Sequence, residues 1–159
     1  MIEHIGSMYD LRFNINYYGA DYPIESLVSK MDREDIYVPD FQRQYVWNVK
    51  EASSFIESLL LGLPVPTIFL AKDKYSNRLL IIDGQQRLKT LLYFVHGCLP
   101  GITPFKLKGV IPEFNNMSFR DLSLEDQRNL LDFTIHEKWG QKNGVRKMQK
   151  NGVKSMLDP

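Results

Sequence analysis

The sequence predicts one domain of mixed α and β elements, and two stretches carry most of that expectation. Leu79-Leu80-Ile81-Ile82 is a short apolar run containing two β-branched residues, the pattern of a strand buried on both faces. Leu88, Leu91, Leu92 and Val95 then fall at the spacing of one helix face, so a strand runs directly into a helix. Upstream, Ala52, Phe55, Ile56, Leu59 and Leu60 share one face of the clearest helix in the chain. A chain of 159 residues, 43% hydrophobic and 25% charged, is long enough to bury a real core and has an ordinary globular composition.

Taken in order, Leu11, Phe13 and Ile15 alternate weakly and suggest an edge strand before Ala20. Asp21, Pro23 and Glu25 supply helix-start chemistry for a helix over about 23–31, with Ile24, Leu27, Val28 and Met31 on one face. Ile36-Tyr37-Val38 reads as a short strand stopped by Pro39. Asn48, with Glu51 three residues on, is a cap for the helix that Gly62 ends and Pro64 keeps from resuming. Thr67 to Ala71 is a further strand, and the polar run from Lys72 to Arg78 is the loop of a hairpin into Leu79. From Pro100 to Pro112 the chain is broken by prolines and glycines, with Phe105, Leu107, Val110 and Ile111 left for a strand or for covering the sheet. Ser123, Glu125 and Asp126 start a last helix through about Ile135.

The chemistry concentrates at the strand-to-helix junction, Asp83-Gly84-Gln85-Gln86-Arg87. One reading is a plain helix cap: Asp83 accepts from the first turn and Gln86 folds back on it. The other is an anion site, because the first helical N–H groups lack internal partners and Gly84 lets a ligand approach the backbone. Arg87 favours the second reading, since a cation near a helix N-terminus is disfavoured unless an anion sits there too. A second unusual segment, Phe41-Gln42-Arg43-Gln44-Tyr45-Val46-Trp47, packs aromatics around glutamines and an arginine. Its aromatics are either core or a wall for stacking, with Arg43 either solvated or forked onto a phosphate or carboxylate.

Other chemistries are excluded by what the chain lacks. Cys98 stands alone, so no intramolecular disulfide forms, and it reads as a packing residue. His4, His96 and His136 do not have metal-pair spacing, and there is neither a nucleophile elbow nor a Walker loop. No signal peptide is evident and no apolar run is long enough to span a membrane, so the expected location is the cytoplasm. A net charge of +1 argues against bulk phosphate neutralisation. One local exception is the stretch holding Lys138, Lys142, Arg146, Lys147, Lys150 and Lys154 without an acidic residue. It reads as a mobile basic tail over 138–159, either simply solvated or an arm for DNA.

Three segments, Val38 to Trp47, Ile56 to Pro66 and Asp83 to Arg87, in this order and spacing resemble the N-terminal domain of the GmrSD restriction-endonuclease family, within the ParB and sulfiredoxin-like superfamily. The resemblance implies an α+β fold, a small mixed β-sheet with packed helices, over residues 1–137 with its core at 22–97. It also implies that the junction binds and helps hydrolyse a nucleoside triphosphate with Mg²⁺. On it, Asp83 and Arg87 are catalytic, while Gln42, Arg43, Gly84, Gln85 and Gln86 hold the nucleotide. Members act in bacterial defence against phage, sensing or cutting modified DNA. Relatives carry further segments, often a separate nuclease domain, so the chain looks truncated and its expected partners are nucleotide, DNA and a nuclease domain or subunit. Sulfiredoxins place a cysteine where Gln85 stands here, so sulfinic acid repair is not expected, and no metal site formed by protein side chains alone is expected.

Overall fold

The structure, a computed structural model, describes residues 15–142 apart from residues 40, 41, 43 and 74. Five strands form one mixed sheet: β1 (Ile15–Pro23), β2 (Ile36–Tyr37), β3 (Ile68–Lys72), β4 (Leu79–Asp83) and β5 (Thr134–Lys142), in the order β1-β5-β3-β4-β2. β1 runs antiparallel to β5, β5 parallel to β3, β3 antiparallel to β4 and β4 parallel to β2. Four helices pack with it: α1 (Ile24–Asp32), α2 (Val49–Leu60), α3 (Gln85–His96) and α4 (Leu124–Asp132). This is the expected α+β class with a small mixed sheet.

The core lies where helix faces meet the sheet. Ile24 and Leu27 of α1, Ile56 of α2, Ile68 of β3, Ile81 of β4 and Leu88, Leu91 and Phe94 of α3 are each at most 1% exposed. α2 starts as its sequence dictates: Asn48 Oδ1 accepts from the Glu51 N–H, and the Glu51 carboxylate accepts from the Asn48 N–H, both at 2.9 Å. α3 ends at Gly97, left-handed at φ 86°, whose N–H returns to Tyr93 O. The proline- and glycine-broken region makes no long strand; it covers the core with Phe105 and Leu107, both fully buried, Phe105 edge-on to Phe94 at 5.3 Å. Its backbone is anchored on α2, where Ser53 Oγ accepts from Lys108 N–H and the Glu57 carboxylate from Ile111 N–H.

Four expectations are corrected. The last helix stops at Asp132 instead of continuing to Ile135, because the chain turns extended at Phe133 and enters β5. Strand β5 therefore crosses the expected boundary between residues 137 and 138, and Lys138 is a strand residue paired with Phe69 and Gly19. β4 is not buried on both faces: Ile81 is covered while Ile82, which points to the opposite face, is 52% exposed. Cys98, beyond the helix stop, is exposed rather than packed. Leu11, Phe13, Arg43, Arg146, Lys147, Lys150 and Lys154 lie outside the described residues.

Candidate functional site

At the end of β4 the chain passes from Asp83 through Gly84 directly into α3. Gly84 is the residue before the helix, at φ 102°, a backbone conformation that side chains rarely adopt. A Cβ there would stand 2.9 Å from Ile68 Cγ1, so the turn is pressed onto β3. Gly84 O accepts from Leu88 N–H at 2.9 Å and closes the first helical turn. The N-cap residue is this glycine, which has no side chain to cap α3. The capping account of Asp83 is thereby corrected: the aspartate is the last residue of β4, one position too early to cap the helix.

Arg87 reaches back across the junction. Its Nη1 donates to Pro66 O and to Thr67 O, and Nη2 lies 3.3 Å from an Asp83 carboxylate oxygen. Its side chain is 13% exposed, against 66% for that of Asp83. Burial lowers the guanidinium pKa from its ordinary value and the Asp83 charge works against that. Arg87 therefore ties the start of α3 to the chain entering β3. Two backbone carbonyls and one carboxylate oxygen thus engage three of the five guanidinium N–H donors, and the side chain still lines the cleft described below.

Gln86 is committed in the same way. Its Oε1 accepts from the Val46 and Trp47 N–H groups at 2.9 and 3.3 Å, and its Nε2 donates to Gln44 O at 3.2 Å. It does not fold back on Asp83. Below it, Thr90 donates its hydroxyl to Gln86 O at 2.7 Å. With that proton used, Tyr45 is the donor in the 2.9 Å bond between the two hydroxyls. The Tyr45 ring stands edge-on to Tyr93 at 5.0 Å, and burial raises the pKa of both phenols. Trp47 turns toward α2 and meets Phe55 at 5.7 Å. Gln42 Nε2 donates to Ile81 O at 2.5 Å, on the edge of β4 that β2 leaves uncovered.

These elements enclose a cleft of about 490 Å³ lined by Gln42, Trp47, Ile82 and the five residues Asp83 to Arg87. The structure thus brings together Gln42, Asp83, Gly84, Gln85, Gln86 and Arg87, which come from two distant stretches of sequence. Arg43 lies outside the described residues. Lys138 is exposed on β5 rather than beside the cleft, and Lys142 ends that strand. Trp47 and Ile82 belong to the lining but were not among the expected site residues; the aromatic cluster before α2 was the signal for Trp47. The Asp83 oxygen facing Arg87 is engaged, while no bond to Oδ1 is seen among the described residues. No group of three or more His, Cys, Asp or Glu side chains is placed to hold a metal among the described residues.

The family model described as the GmrSD restriction endonuclease N-terminal domain matches residues 24–156. An uncharacterized protein of Methanocaldococcus jannaschii is 30% identical over a stretch covering 44% of this chain and 16% of the relative. The chain therefore spans about a sixth of the length of that curated relative. No solved structure matches. No helix among the described residues is long and apolar enough to cross a membrane.

Proposed function

The chain belongs to the GmrSD restriction endonuclease family, as its N-terminal domain, and from that premise we propose that it binds and hydrolyses a nucleoside triphosphate with Mg²⁺ in the Asp83 to Arg87 cleft. The observation that carries the reading is the convergence of the motif and the aromatic wall on one cleft at the N-terminus of α3. There the first-turn N–H groups and the helix dipole favour phosphate oxygens. Trp47 offers an aromatic surface and the carbonyl of Gln42 an acceptor, its amide protons being drawn to Ile81 O. Asp83 is the residue for the chemistry: its exposed carboxylate either anchors the nucleotide-bound Mg²⁺ or orients and deprotonates the attacking water. Mg²⁺ supplies charge neutralisation on the phosphates. Arg87 holds Asp83 in place rather than gripping the phosphate.

In this reading the domain is one component of a cytoplasmic anti-phage restriction system that recognises modified DNA, working with a nuclease domain or subunit. A second reading is a binding module without turnover. It is favoured by one observation: Arg87 gives Nη1 to Pro66 and Thr67 and one Nη2 N–H to Asp83, which leaves it fewer donors for a leaving phosphate. Calorimetric titration of the purified chain with each of the four ribonucleoside triphosphates and Mg²⁺, together with phosphate release, separates the two. The enzymatic reading expects binding and release in the parent. In Asp83→Asn it expects release to be lost, with unfolding free energy changed by less than about 1 kcal/mol because the ion pair is exposed on the Asp83 side. Binding without release supports the second reading, and a parent that binds none of the four nucleotides removes both as nucleotide proposals.

A further inference from the structure

A side chain whose hydrogen bonds are mostly spent on the protein can shape a site without touching what enters it. The Gln86 carboxamide has two acceptor lone pairs and two N–H donors. Both lone pairs face backbone N–H groups, of Val46 and Trp47, and one donor serves Gln44 O. The stretch 44–47 belongs to no strand. Three of its polar backbone groups, Gln44 O and the Val46 and Trp47 N–H groups, are met by this one side chain as a neighbouring strand would meet them.

We infer that Gln86 is a positioning residue that builds the aromatic wall of the cleft, holding Trp47 where a ligand meets it, and is not itself a ligand contact. The alternation along the segment fits this role. Tyr45 points onto α3, where Thr90 and Tyr93 receive it, Val46 is 48% exposed, and Trp47 turns back against Phe55 at the cleft. Gln86 sits at the point where the segment passes the first turn of α3, so its amide sets both the height and the direction of the indole. The segment before it is tied to β4 by Gln42 alone among the described side-chain bonds, which leaves the Gln86 clasp as the principal link between wall and helix start. The inference rests on the nucleotide reading only for the nature of the ligand.

The test has an arm that needs no nucleotide. Amide hydrogen exchange at Val46 and Trp47 is measured in the parent, Gln86→Ala and Gln86→Glu, with Leu88 N–H, bonded to Gly84 O, as the control for an intact helix. Glutamate keeps the acceptor oxygen, so protection at Val46 and Trp47 should stay within about threefold of the parent, whereas alanine should lose about tenfold or more with Leu88 unchanged. The second arm is a double-mutant cycle of Gln86→Ala and Trp47→Ala, read as affinity for whichever Mg²⁺-nucleoside triphosphate the parent binds. Each single change should weaken binding about tenfold, and the double variant should bind no worse than Trp47→Ala alone. Unchanged exchange in Gln86→Ala overturns the proposal, and so do losses that multiply in the double variant, which is what a direct ligand contact gives. If the parent binds no nucleotide, the nucleotide reading falls while the exchange arm still decides whether Gln86 holds the wall.

Discussion

Three side chains, or the lack of one, decide most of the local energetics. Gly84 meets two constraints together, a positive φ and an approach to Ile68 that leaves no room for a methyl group. Gly84→Ala should lower unfolding free energy by about 2–4 kcal/mol, the sum of backbone strain and overpacking, measured by urea denaturation. Arg87→Ala leaves the carbonyls of Pro66 and Thr67 without the donors that now serve them. It should cost about 2–3 kcal/mol; a variant as stable as the parent would mean those carbonyls find water at no cost. Glu137 is fully buried on β5 with neither carboxylate oxygen bonded among the described residues, and burial pushes its pKa up to about 7 against the pull of Lys30. The folded state therefore holds this proton more tightly than the unfolded state, whose pKa is near the ordinary 4.5. Stability from this group is full below that value and is lost as pH rises through about 7. Glu137→Gln should remove that slope and gain on the order of 1–3 kcal/mol at pH 8, with little change at pH 4. Parallel denaturation series of parent and variant that keep the same spacing at both pH values would refute it.

At the scale of elements, α2 and α3 act as two jaws on the segment between them. The capping box fixes the first residue of α2's approach, and the adjoining Trp47 N–H is already held by Gln86, so cap and wall share consecutive backbone groups. Asn48→Ala should cost about 1 kcal/mol of stability. It should also speed amide exchange at Trp47 before exchange at Leu91 in the middle of α3 changes, because the loss is local to the start of α2. A uniform rise in exchange across both helices would place the damage in the core instead. The broken region after α3 is held to α2 by Ser53 and Glu57, acceptors that substitute for the sheet partner this region does not have.

For the whole molecule the decisive feature is that β5, late in the chain, lies between β1 and β3. Cutting the chain before Lys138 removes more than half of that strand, from Lys138 to Lys142, with most of its pairing to both neighbours. Such a truncation should abolish cooperative unfolding rather than merely remove basic charge. A cut after Lys142 is the informative one for DNA. If Arg146, Lys147, Lys150 and Lys154 neutralise phosphates, the slope of log affinity against log salt for double-stranded DNA should shrink by up to about 3.6, roughly 0.9 for each lost contact. An unchanged slope takes these four residues out of DNA binding.

The sequence by itself determined the elements whose signals are local: the capped α2, the hairpin of β3 and β4, and the entry of β4 into α3 through a glycine. It also marked six of the eight residues that line the cleft, because a charged and amide-rich motif between apolar runs is legible without coordinates. What it did not determine was the work of each residue. Asp83 reads as a cap until the strand is seen to include it, and nothing local tells that distant backbone atoms take up the hydrogen bonds of Gln86 and Arg87. β5 was hidden for a related reason. Thr134 and Ile135 begin a strand pattern, but Glu137 interrupts the alternation with a charged residue at a core-facing position, and no local rule predicts that a carboxylate will be buried there. Tertiary structure decided these points because hydrogen-bond partners and burial are set by chain segments far apart in sequence, whereas propensity and periodicity register only neighbours.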